Sequence, residues 1–281
     1  MRQGYFPQLI RYLGILAIGL ALSPLLRADE SILIGVVPQF EARKLHQIWQ
    51  PIIDELSTRT GKKFELSGSP TIVDFERQLL EGKFDFAYMN PYHFIMAQQA
   101  QGYNPVVRDT SRKLSGILVV KNDSGIDSPK QLDGKTLAFP APNALGASLQ
   151  MRQELTDLFG ITFTPNYVKT HDSVYLNVMF NKAAAGGGVG KTLQQQKDSV
   201  KNALKVIHKT KPVAPHPVAA HPRVAQALVD SVRETFLQMS NSDEGKALLE
   251  QIPMRVAGAS TAADYEELIS MKLERFYVQP E

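Results

Sequence analysis

The stretch Phe84-Asp85-Phe86-Ala87-Tyr88-Met89-Asn90-Pro91-Tyr92-His93-Phe94 combines a strand pattern with the start of a helix. Its first half, Phe84–Met89, is a short apolar run of the kind that forms a buried strand. Asn90 is a favoured N-cap residue and Pro91 is favoured at the first helical position, so a helix is predicted to begin here and run to Gly102. A strand that leads directly into a helix is the repeating unit of α/β proteins.

The same alternation continues on both sides of this stretch. Further strands are predicted at Ile32–Val37, Lys63–Leu66, Leu114–Val120, Thr136–Phe139, Asn166–Lys169 and Lys205–Lys209. Apolar residues spaced three and four apart predict helices between the strands, the first with a kink or restart at Pro51. Thr71 and Asp74 resemble a capping box that opens a second helix, and a later helix follows Asn143 and stops at Gly160. This order predicts an α/β fold with mainly parallel sheets flanked by helices.

The chain has 281 residues, which suits two compact α/β lobes better than one sheet. Two extended segments are predicted to connect the lobes, Lys113–Lys121 and Lys211–Pro222. The second contains four prolines, which keep it extended and mostly non-helical. We therefore predict a first lobe made of residues 29–114 together with 214–281, and a second lobe made of residues 115–213.

Residues 1–28 are predicted to be an export signal peptide. Arg2 and Arg11 precede the apolar run Leu13–Leu22, which is shorter than the about 20 apolar residues that span a bilayer. Leu26-Arg27-Ala28 then offers a cleavage site that ends on a small residue. An uncleaved membrane anchor is the alternative interpretation. The prediction is a mature chain from about Asp29 onward that is exported to the periplasm.

Composition excludes several classes of protein. The chain contains no cysteine, which rules out a disulfide framework, a thiolate zinc site, a cysteine nucleophile and a lipid-anchored lipoprotein. The formal net charge is +3, and Arg2, Arg11 and Arg27 account for all of it. Because the rest of the chain has as many basic as acidic residues, we expect no nucleic-acid partner.

The motifs of common enzymes are also missing. Gly186-Gly187-Gly188-Val189-Gly190-Lys191-Thr192 resembles a phosphate loop, but Ala185 stands where the Walker pattern needs glycine. A glycine-rich turn from strand to helix is the prediction there. No GxSxG elbow or HExxH helix occurs, and His216 and His221 are interpreted as surface loop histidines rather than metal ligands. We expect neither a catalytic residue, a metal nor a cofactor.

Three junctions between strand and helix carry polar residues. They are Met89–Phe94, Pro142–Ser148 and Thr170–Ser173. Ligands of open α/β sheets bind beyond the carboxyl ends of the strands, where helix starts present free N–H groups that suit an anion. The alternative is that Asn90, Asn143 and Asp172 only cap their helices.

The candidate ligand-binding residues follow from these junctions. Asn90 and Asn143, with the amides of the helix starts, are expected to bind the negative charge, and Asp172 is expected to orient the ligand. A bound anion would favour the charged form of His171. The full set adds the neighbours of these residues and consists of Gln39, Tyr88, Asn90, Tyr92, His93, Asn143, His171 and Asp172.

Several stretches, taken in order, resemble the periplasmic solute-binding proteins of phosphate, phosphite and phosphonate ABC importers. They are Gly35-Val36-Val37-Pro38, Pro51 within the first helix, Leu80-Glu81-Gly82-Lys83-Phe84-Asp85-Phe86-Ala87, Pro91 with Ala97, Leu132-Asp133-Gly134-Lys135-Thr136 and Lys169-Thr170-His171-Asp172-Ser173-Val174. The family carries a hydroxyl-rich Ser-Thr-Ser-Gly turn that grips phosphonate oxygens. The matching turn here, Asn143-Ala144-Leu145-Gly146, keeps the glycine and lacks all three hydroxyls.

The resemblance implies a two-lobed type II periplasmic-binding-protein fold with the ligand between the lobes. It also implies capture of a small anionic solute, phosphonate-like, phosphate-like or a small organic oxyanion, for a membrane ABC permease. We expect a monomer. A sensory protein that feeds a membrane histidine kinase is the second hypothesis, and a periplasmic enzyme is the third.

Overall fold

Two mixed β-sheets, both flanked by helices, form the body of the protein. The computed structural model describes Met1 and residues 31–280, so the predicted signal peptide lies outside the described residues apart from Met1. Among the residues described, no helix has both the length and the hydropathy that a membrane crossing needs.

The first sheet is built from both ends of the described chain. Its strands are β1 (Ile32–Val36), β2 (Phe64–Ser67), β3 (Phe86–Tyr88), β4 (Asn104–Asp109), β10 (Val218–Ala220) and β11 (Ala257–Ala259). They lie in the order β11-β4-β10-β3-β1-β2. β1 is parallel to both β2 and β3, whereas β10 is antiparallel to β3 and β4, and β11 is antiparallel to β4.

The second sheet uses the middle of the chain. Its strands are β5 (Gly116–Lys121), β6 (Lys135–Phe139), β7 (Phe163–Tyr167), β8 (Ala185–Val189) and β9 (Leu204–Lys209), in the order β7-β6-β8-β5-β9. β6 is parallel to β7 and β8, and β5 is antiparallel to β8 and β9. The α/β class is confirmed, but the prediction of mainly parallel sheets was wrong for β4, β5, β9, β10 and β11, which pair only with antiparallel neighbours.

Helices cover the sheets. The α-helices are α1 (Ala42–Thr60), α2 (Ile72–Leu80), α3 (Pro91–Gln101), α4 (Gln150–Asp157), α5 (His171–Met179), α6 (Gly190–Gln194), α7 (Asp198–Lys201), α8 (Gln226–Met239), α9 (Asp243–Gln251) and α10 (Glu266–Ser270). Short 3₁₀ turns span Pro129–Leu132, Ala262–Tyr265 and Leu273–Arg275, and a π-helical turn spans Leu145–Leu149. α1 continues through Pro51, so the predicted restart does not occur.

Alternating side chains of β5 build the core of the second sheet. Ile117 and Val119 pack in one cluster with Val174 of α5, while Leu118 and Val120 pack in another that includes α4. This alternation is what a strand buried on both faces requires. The first sheet has a single larger core cluster that extends to the C-terminal segment.

Glycines let α5 approach β8 closely. A Cβ on Gly188 would overlap the Tyr175 ring, and one on Gly186 would lie 2.5 Å from Val174 Cγ1. These residues were predicted to form a glycine-rich turn from strand to helix, but they lie within β8. Here their lack of a side chain provides the space that the helix fills.

Two chain segments join the sheets and pair with each other. Leu114, before β5, and Val213, after β9, form an isolated antiparallel bridge, with Leu114 N donating to Val213 O at 2.8 Å and Val213 N donating to Leu114 O at 2.9 Å. From Ser31 onward the residues cluster as one compact unit. The division into lobes at these segments stays a prediction.

Candidate ligand-binding site

One edge of the first sheet carries Gln39, Asn90 and His216. Gln39 follows β1 and Asn90 follows β3, while His216 precedes the antiparallel β10. Because parallel strands end where an antiparallel neighbour begins, the topology brings these three residues to the same edge. All three are buried.

The second sheet faces this edge with the ends of its own parallel strands. Residues 144–147 follow β6, His171 follows β7, and Val189 ends β8. A cavity of about 20 Å³, called the inner cavity below, lies between the two edges. It is lined by Val37, Gln39, Asn90, Leu114, Ala144, Leu145, Gly146, Ala147, His171, Val189 and His216. No carboxylate lines it, so the cavity suits an anion better than a cation.

The segment 144–147 begins a helical run that continues through α4. Ser148 N and Leu149 N both donate to Ala144 O, whereas the backbone N–H groups of Leu145, Gly146 and Ala147 donate to no acceptor within the described residues. Unpaired N–H groups and the positive end of the helix dipole are both expected at a helix start. Leu145, Gly146 and Ala147 line the inner cavity, and free N–H groups at a helix start are suited to bind an anion.

Close backbone contacts fix the position of these donors. A Cβ on Gly116 would overlap Gly146 O, and a Cβ on Gly187 would overlap Ala147 O. The turn therefore rests directly on the backbones of β5 and β8. A side chain at either glycine would displace the donors that face the cavity.

Asn90 confirms the predicted helix start and also supports the turn. Its Oδ1 accepts from Tyr92 N and His93 N, both at 2.9 Å, which is N-cap geometry. Its Nδ2 donates to Asn143 O at 3.0 Å. Asn90 lines the inner cavity, but these contacts leave it few donors for a ligand, and its role here is to join the two sheets.

Asn143 does not line the inner cavity. Its Nδ2 donates to Glu76 Oε2 at 3.1 Å and to Val278 O at 2.6 Å, and its Oδ1 accepts from Val278 N at 3.0 Å. Nor does it cap the helix, since the N-cap position belongs to Ala144. The Asn143 amide instead holds Glu76 and Val278, so this side chain neither lines the inner cavity nor caps the helix.

His93 and Tyr92 lie on the far side of the α3 start. His93 is buried, and its Nε2 lies 2.6 Å from Glu76 Oε1 in an orientation that makes no hydrogen bond. Tyr92 packs on Tyr277, with ring centroids 5.7 Å apart. The inner cavity is not lined by either residue, since α3 turns them away from it.

His171 lines the inner cavity, whereas its neighbour Asp172 does not. His171 Nδ1 lies 3.4 Å from Thr192 Oγ1, and its Nε2 has no hydrogen-bond partner among the described residues. Asp172 accepts from Gln196 Nε2 at 2.6 Å. The helix cap is Thr170, whose side chain accepts from Ser173 N at 3.1 Å, so the capping alternative for Asp172 was wrong.

His216 is the residue that sequence reasoning missed. It was interpreted as a surface histidine, yet only 6% of it is exposed. Its Nε2 lies 3.3 Å from Gln39 Nε2, and its ring stacks on Tyr88 with centroids 5.3 Å apart. The proline-rich segment around it suggested a loop, and the sequence holds no sign that β10 would draw this loop into the core.

Both cavity histidines are held in the neutral form. Burial lowers the pKa of His171 to about 4, and burial, with the charges of His93 and His171, lowers the pKa of His216 to about 3. A neutral imidazole donates one N–H and accepts at the other nitrogen. Burial also raises the pKa of Tyr88, which therefore stays a neutral phenol.

A sequence model of one family matches residues 34–265, which is most of the chain. The family is described as the phosphonate periplasmic substrate-binding protein of ABC transporters. The chain belongs to this family. The described residues contain no group of three or more His, Cys, Asp or Glu side chains placed to hold a metal ion.

Relatives of known structure or curated function agree with this membership. The phosphate-import protein PhnD of Mycolicibacterium smegmatis is 21% identical over 233 residues, which covers 75% of this chain and 73% of the relative. A binding protein of an ABC phosphonate transporter from Pseudomonas aeruginosa is 16% identical with a TM-score of 0.76, covering 88% of this chain and 87% of that one. PhnD1 of Prochlorococcus marinus, solved with methylphosphonate, is 12% identical with a TM-score of 0.79, covering 88% and 98%.

Family membership decides between the functional hypotheses. The family resemblance and the type II periplasmic-binding fold are confirmed, as is the function of a substrate-binding protein of an ABC transporter. The comparisons give no support to the sensory alternative. The family consists of solute-binding components of transporters and is periplasmic.

Proposed function

We propose that this protein captures a small phosphorus oxyanion, a phosphonate or phosphate, and delivers it to an ABC permease. The observation that carries the proposal is the inner cavity, where the free N–H groups of residues 145–147 meet two neutral histidines and no carboxylate. Such a site offers neutral donors to a tetrahedral oxyanion. Because its volume of about 20 Å³ holds little more than one water molecule, the anion would enter while the two sheet edges are further apart. The names of two relatives, one a phosphate importer and one solved with methylphosphonate, point to the same ligand class.

The cavity residues divide into donors and supports. The N–H groups of residues 145–147 would donate to the oxyanion oxygens, together with the Gln39 amide and one ring N–H each from His171 and His216. Asn90 and Asn143 would act by holding the turn. Of the other residues predicted from sequence, Tyr88 would support His216 by stacking, while Tyr92, His93 and Asp172 would have no direct contact with the ligand.

Ligand capture would close two lobes around the anion. The lobes are residues 29–114 with 214–281 and residues 115–213, and the paired backbones at Leu114 and Val213 are the proposed hinge. Closure of this kind changes a few backbone torsions and leaves each lobe rigid. Small-angle X-ray scattering should report a smaller radius of gyration with saturating ligand, and no change would contradict the closure.

Export would use residues 1–28 as a cleaved signal peptide and place a monomer in the periplasm. The family is periplasmic, and the arginines and apolar run of this segment are typical of a signal. The mass of the protein recovered from the periplasm should match a start near Asp29. Recovery of the uncleaved chain in the membrane fraction would contradict this.

Thermal-shift and calorimetric titration test the ligand. Methylphosphonate and inorganic phosphate should each raise the melting temperature, with sulfate and acetate as comparison anions. A ligand at 100 times its Kd adds about 2.7 kcal/mol to the free energy of unfolding, which is readily measured. If neither phosphorus oxyanion binds, the proposed ligand class is wrong.

A further inference from the structure

A second, larger cavity continues from the inner one. It has a volume of about 320 Å³ and is called the outer cavity below. Gln39, Leu114, Val189 and His216 line both cavities. A ligand whose oxyanion head occupies the inner cavity therefore has room for its organic part in the outer one.

Four cationic side chains line the outer cavity, and no carboxylate does. Arg112 and Lys113 come from the segment between β4 and β5, Lys191 is the second residue of α6, and Lys209 ends β9. The remaining lining residues are neutral, including Ser115 and Gln194. The chain as a whole is close to neutral outside its first residues, so this concentration of positive charge is local.

Much of the hydrogen-bonding capacity of these cations is unused. Arg112 donates through Nε to Asp109 at 2.7 Å, and its other guanidinium groups make no hydrogen bond within residues 31–280. Lys191 Nζ donates to Glu250 O at 2.8 Å. Lys113 and Lys209 form no ion pair among the described residues.

The cations also act on one another. Burial lowers the pKa of Lys191 and the positive charge of Arg112 lowers it further, while the negative charge of Glu250 partly offsets both. An anion that binds between two like charges in a partly buried cavity reduces the repulsion between them. Arg112 is paired with the buried Asp109 carboxylate, so the uncompensated positive charge of the outer cavity comes from Lys113, Lys191 and Lys209. A negatively charged group of a ligand would offset it.

We propose that the outer cavity is a subsite for a second acidic group on the ligand. The inference rests on the proposed function, because it assumes that the oxyanion head occupies the inner cavity. The substrate class is then a phosphonate or phosphate whose organic part carries a further carboxylate or phosphate. An aminoalkylphosphonate, whose tail is cationic, is disfavoured, since like charges repel and no acidic residue lines the cavity to receive the ammonium.

Three phosphonates, two of them with tails of similar size and opposite charge, test the subsite by calorimetric titration at about 0.15 M salt, where distant charges are screened. Methylphosphonate supplies the head alone, phosphonoacetate adds a carboxylate, and 2-aminoethylphosphonate adds an ammonium. Phosphonoacetate should bind at least tenfold tighter than methylphosphonate, which is about 1.4 kcal/mol. 2-Aminoethylphosphonate should bind more weakly than methylphosphonate.

The double variant Lys113→Gln/Lys209→Gln tests whether the tighter binding of phosphonoacetate arises in the outer cavity. It should reduce the advantage of phosphonoacetate to less than threefold and leave the methylphosphonate affinity within about twofold, because the head does not contact these lysines. The control Lys130→Gln/Lys197→Gln removes the same charge from residues that line neither cavity. It should keep the full advantage.

The outcomes separate this inference from the proposed function. If methylphosphonate binds and phosphonoacetate binds no tighter, the subsite is wrong and the proposed function stands. An advantage of phosphonoacetate that survives in the Lys113→Gln/Lys209→Gln variant, or tighter binding of 2-aminoethylphosphonate, also overturns the subsite. If no phosphonate or phosphate binds, both proposals fail together.

Discussion

Asn143 and Val278 hold each other through a reciprocal pair of hydrogen bonds, in which Asn143 Nδ2 donates to Val278 O at 2.6 Å and Val278 N donates to Asn143 Oδ1 at 3.0 Å. Asn143 immediately precedes the turn whose free N–H groups line the inner cavity. Arg152 adds to this contact by donating to both Pro142 O and Phe276 O. The C-terminal segment thus supports the candidate site from behind without lining it.

Replacement of Asn143 by alanine should destabilise the protein more than an ordinary surface substitution. The buried Glu76 carboxylate loses a donor, and both backbone groups of Val278 lose their partner. Val278 is exposed, so the main cost is the buried Glu76 carboxylate left unpaired, about 1–3 kcal/mol or more. Urea unfolding of Asn143→Ala measures this loss, and Asn166→Ala, on an exposed strand residue, is the control. Equal stability of the two variants would contradict the supporting role.

The sequence was sufficient to place Asn90 and His171 after strand ends, but not to orient the side chains of the candidate residues. Asn90 caps its helix as predicted because capping depends only on neighbours within three residues. The partners of Asn143 are Glu76 and Val278, which are 67 and 135 residues away. A local sequence pattern does not reveal partners so distant in the chain, so the sequence could not predict the direction of the Asn143 side chain.

Four strands, β4, β8, β10 and β11, were missed at the sequence level, and the last two share a physical reason. β10 and β11 have three residues each, too few to show the alternation that identifies a strand. Their pairing depends on antiparallel neighbours distant in the chain. The burial of His216 follows from β10, which explains why both were missed together.

Gly187→Ala should disturb the turn at the inner cavity. Its Cβ would overlap Ala147 O and lie 2.8 Å from Phe139 Cδ1, and buried backbone has little freedom to move away. We expect a loss of about 1–3 kcal/mol of stability, as for other overpacked sites, and at least tenfold weaker binding of methylphosphonate. Calorimetric titration and urea unfolding measure the two effects.

Gly68→Ala is the matched control for this substitution. No atom lies within 4 Å of the Cβ that alanine would add at Gly68, and its backbone is not in the left-handed region. This variant should keep the parent affinity for methylphosphonate. Gly187→Ala with parent affinity would show that the backbone donors of residues 145–147 do not bind the ligand.

The stability of the ligand-free protein should fall between pH 6.5 and pH 4. Burial lowers the pKa of His171 to about 4 and that of His216 to about 3, whereas histidine in an unfolded chain titrates near pH ~6.5. The unfolded state therefore binds protons first as the pH falls. The stabilisation is complete above pH ~6.5 and is progressively lost as the pH drops toward these lower values.

Urea midpoints measured from pH 7.5 to pH 4.5 test this dependence. The parent protein should lose on the order of a few kcal/mol over the range, and the variant His171→Gln/His216→Gln should lose clearly less, whatever its stability at pH 7.5. His46→Gln, which changes an exposed histidine of α1, should follow the parent curve. The same slope in the double variant and the parent would assign the dependence to other groups.

His171 is the residue whose replacement should affect binding most directly. Its Nδ1 is near Thr192 Oγ1, while its Nε2 has no hydrogen-bond partner among the described residues, and the ring lines the inner cavity. His171→Ala should weaken methylphosphonate binding at least tenfold, about 1.4 kcal/mol, with His46→Ala unchanged. Circular dichroism should show a fold like that of the parent, which separates lost contact from lost structure. If His171→Ala and His216→Ala both bind like the parent, the ligand lies outside the inner cavity even though the fold is that of the family.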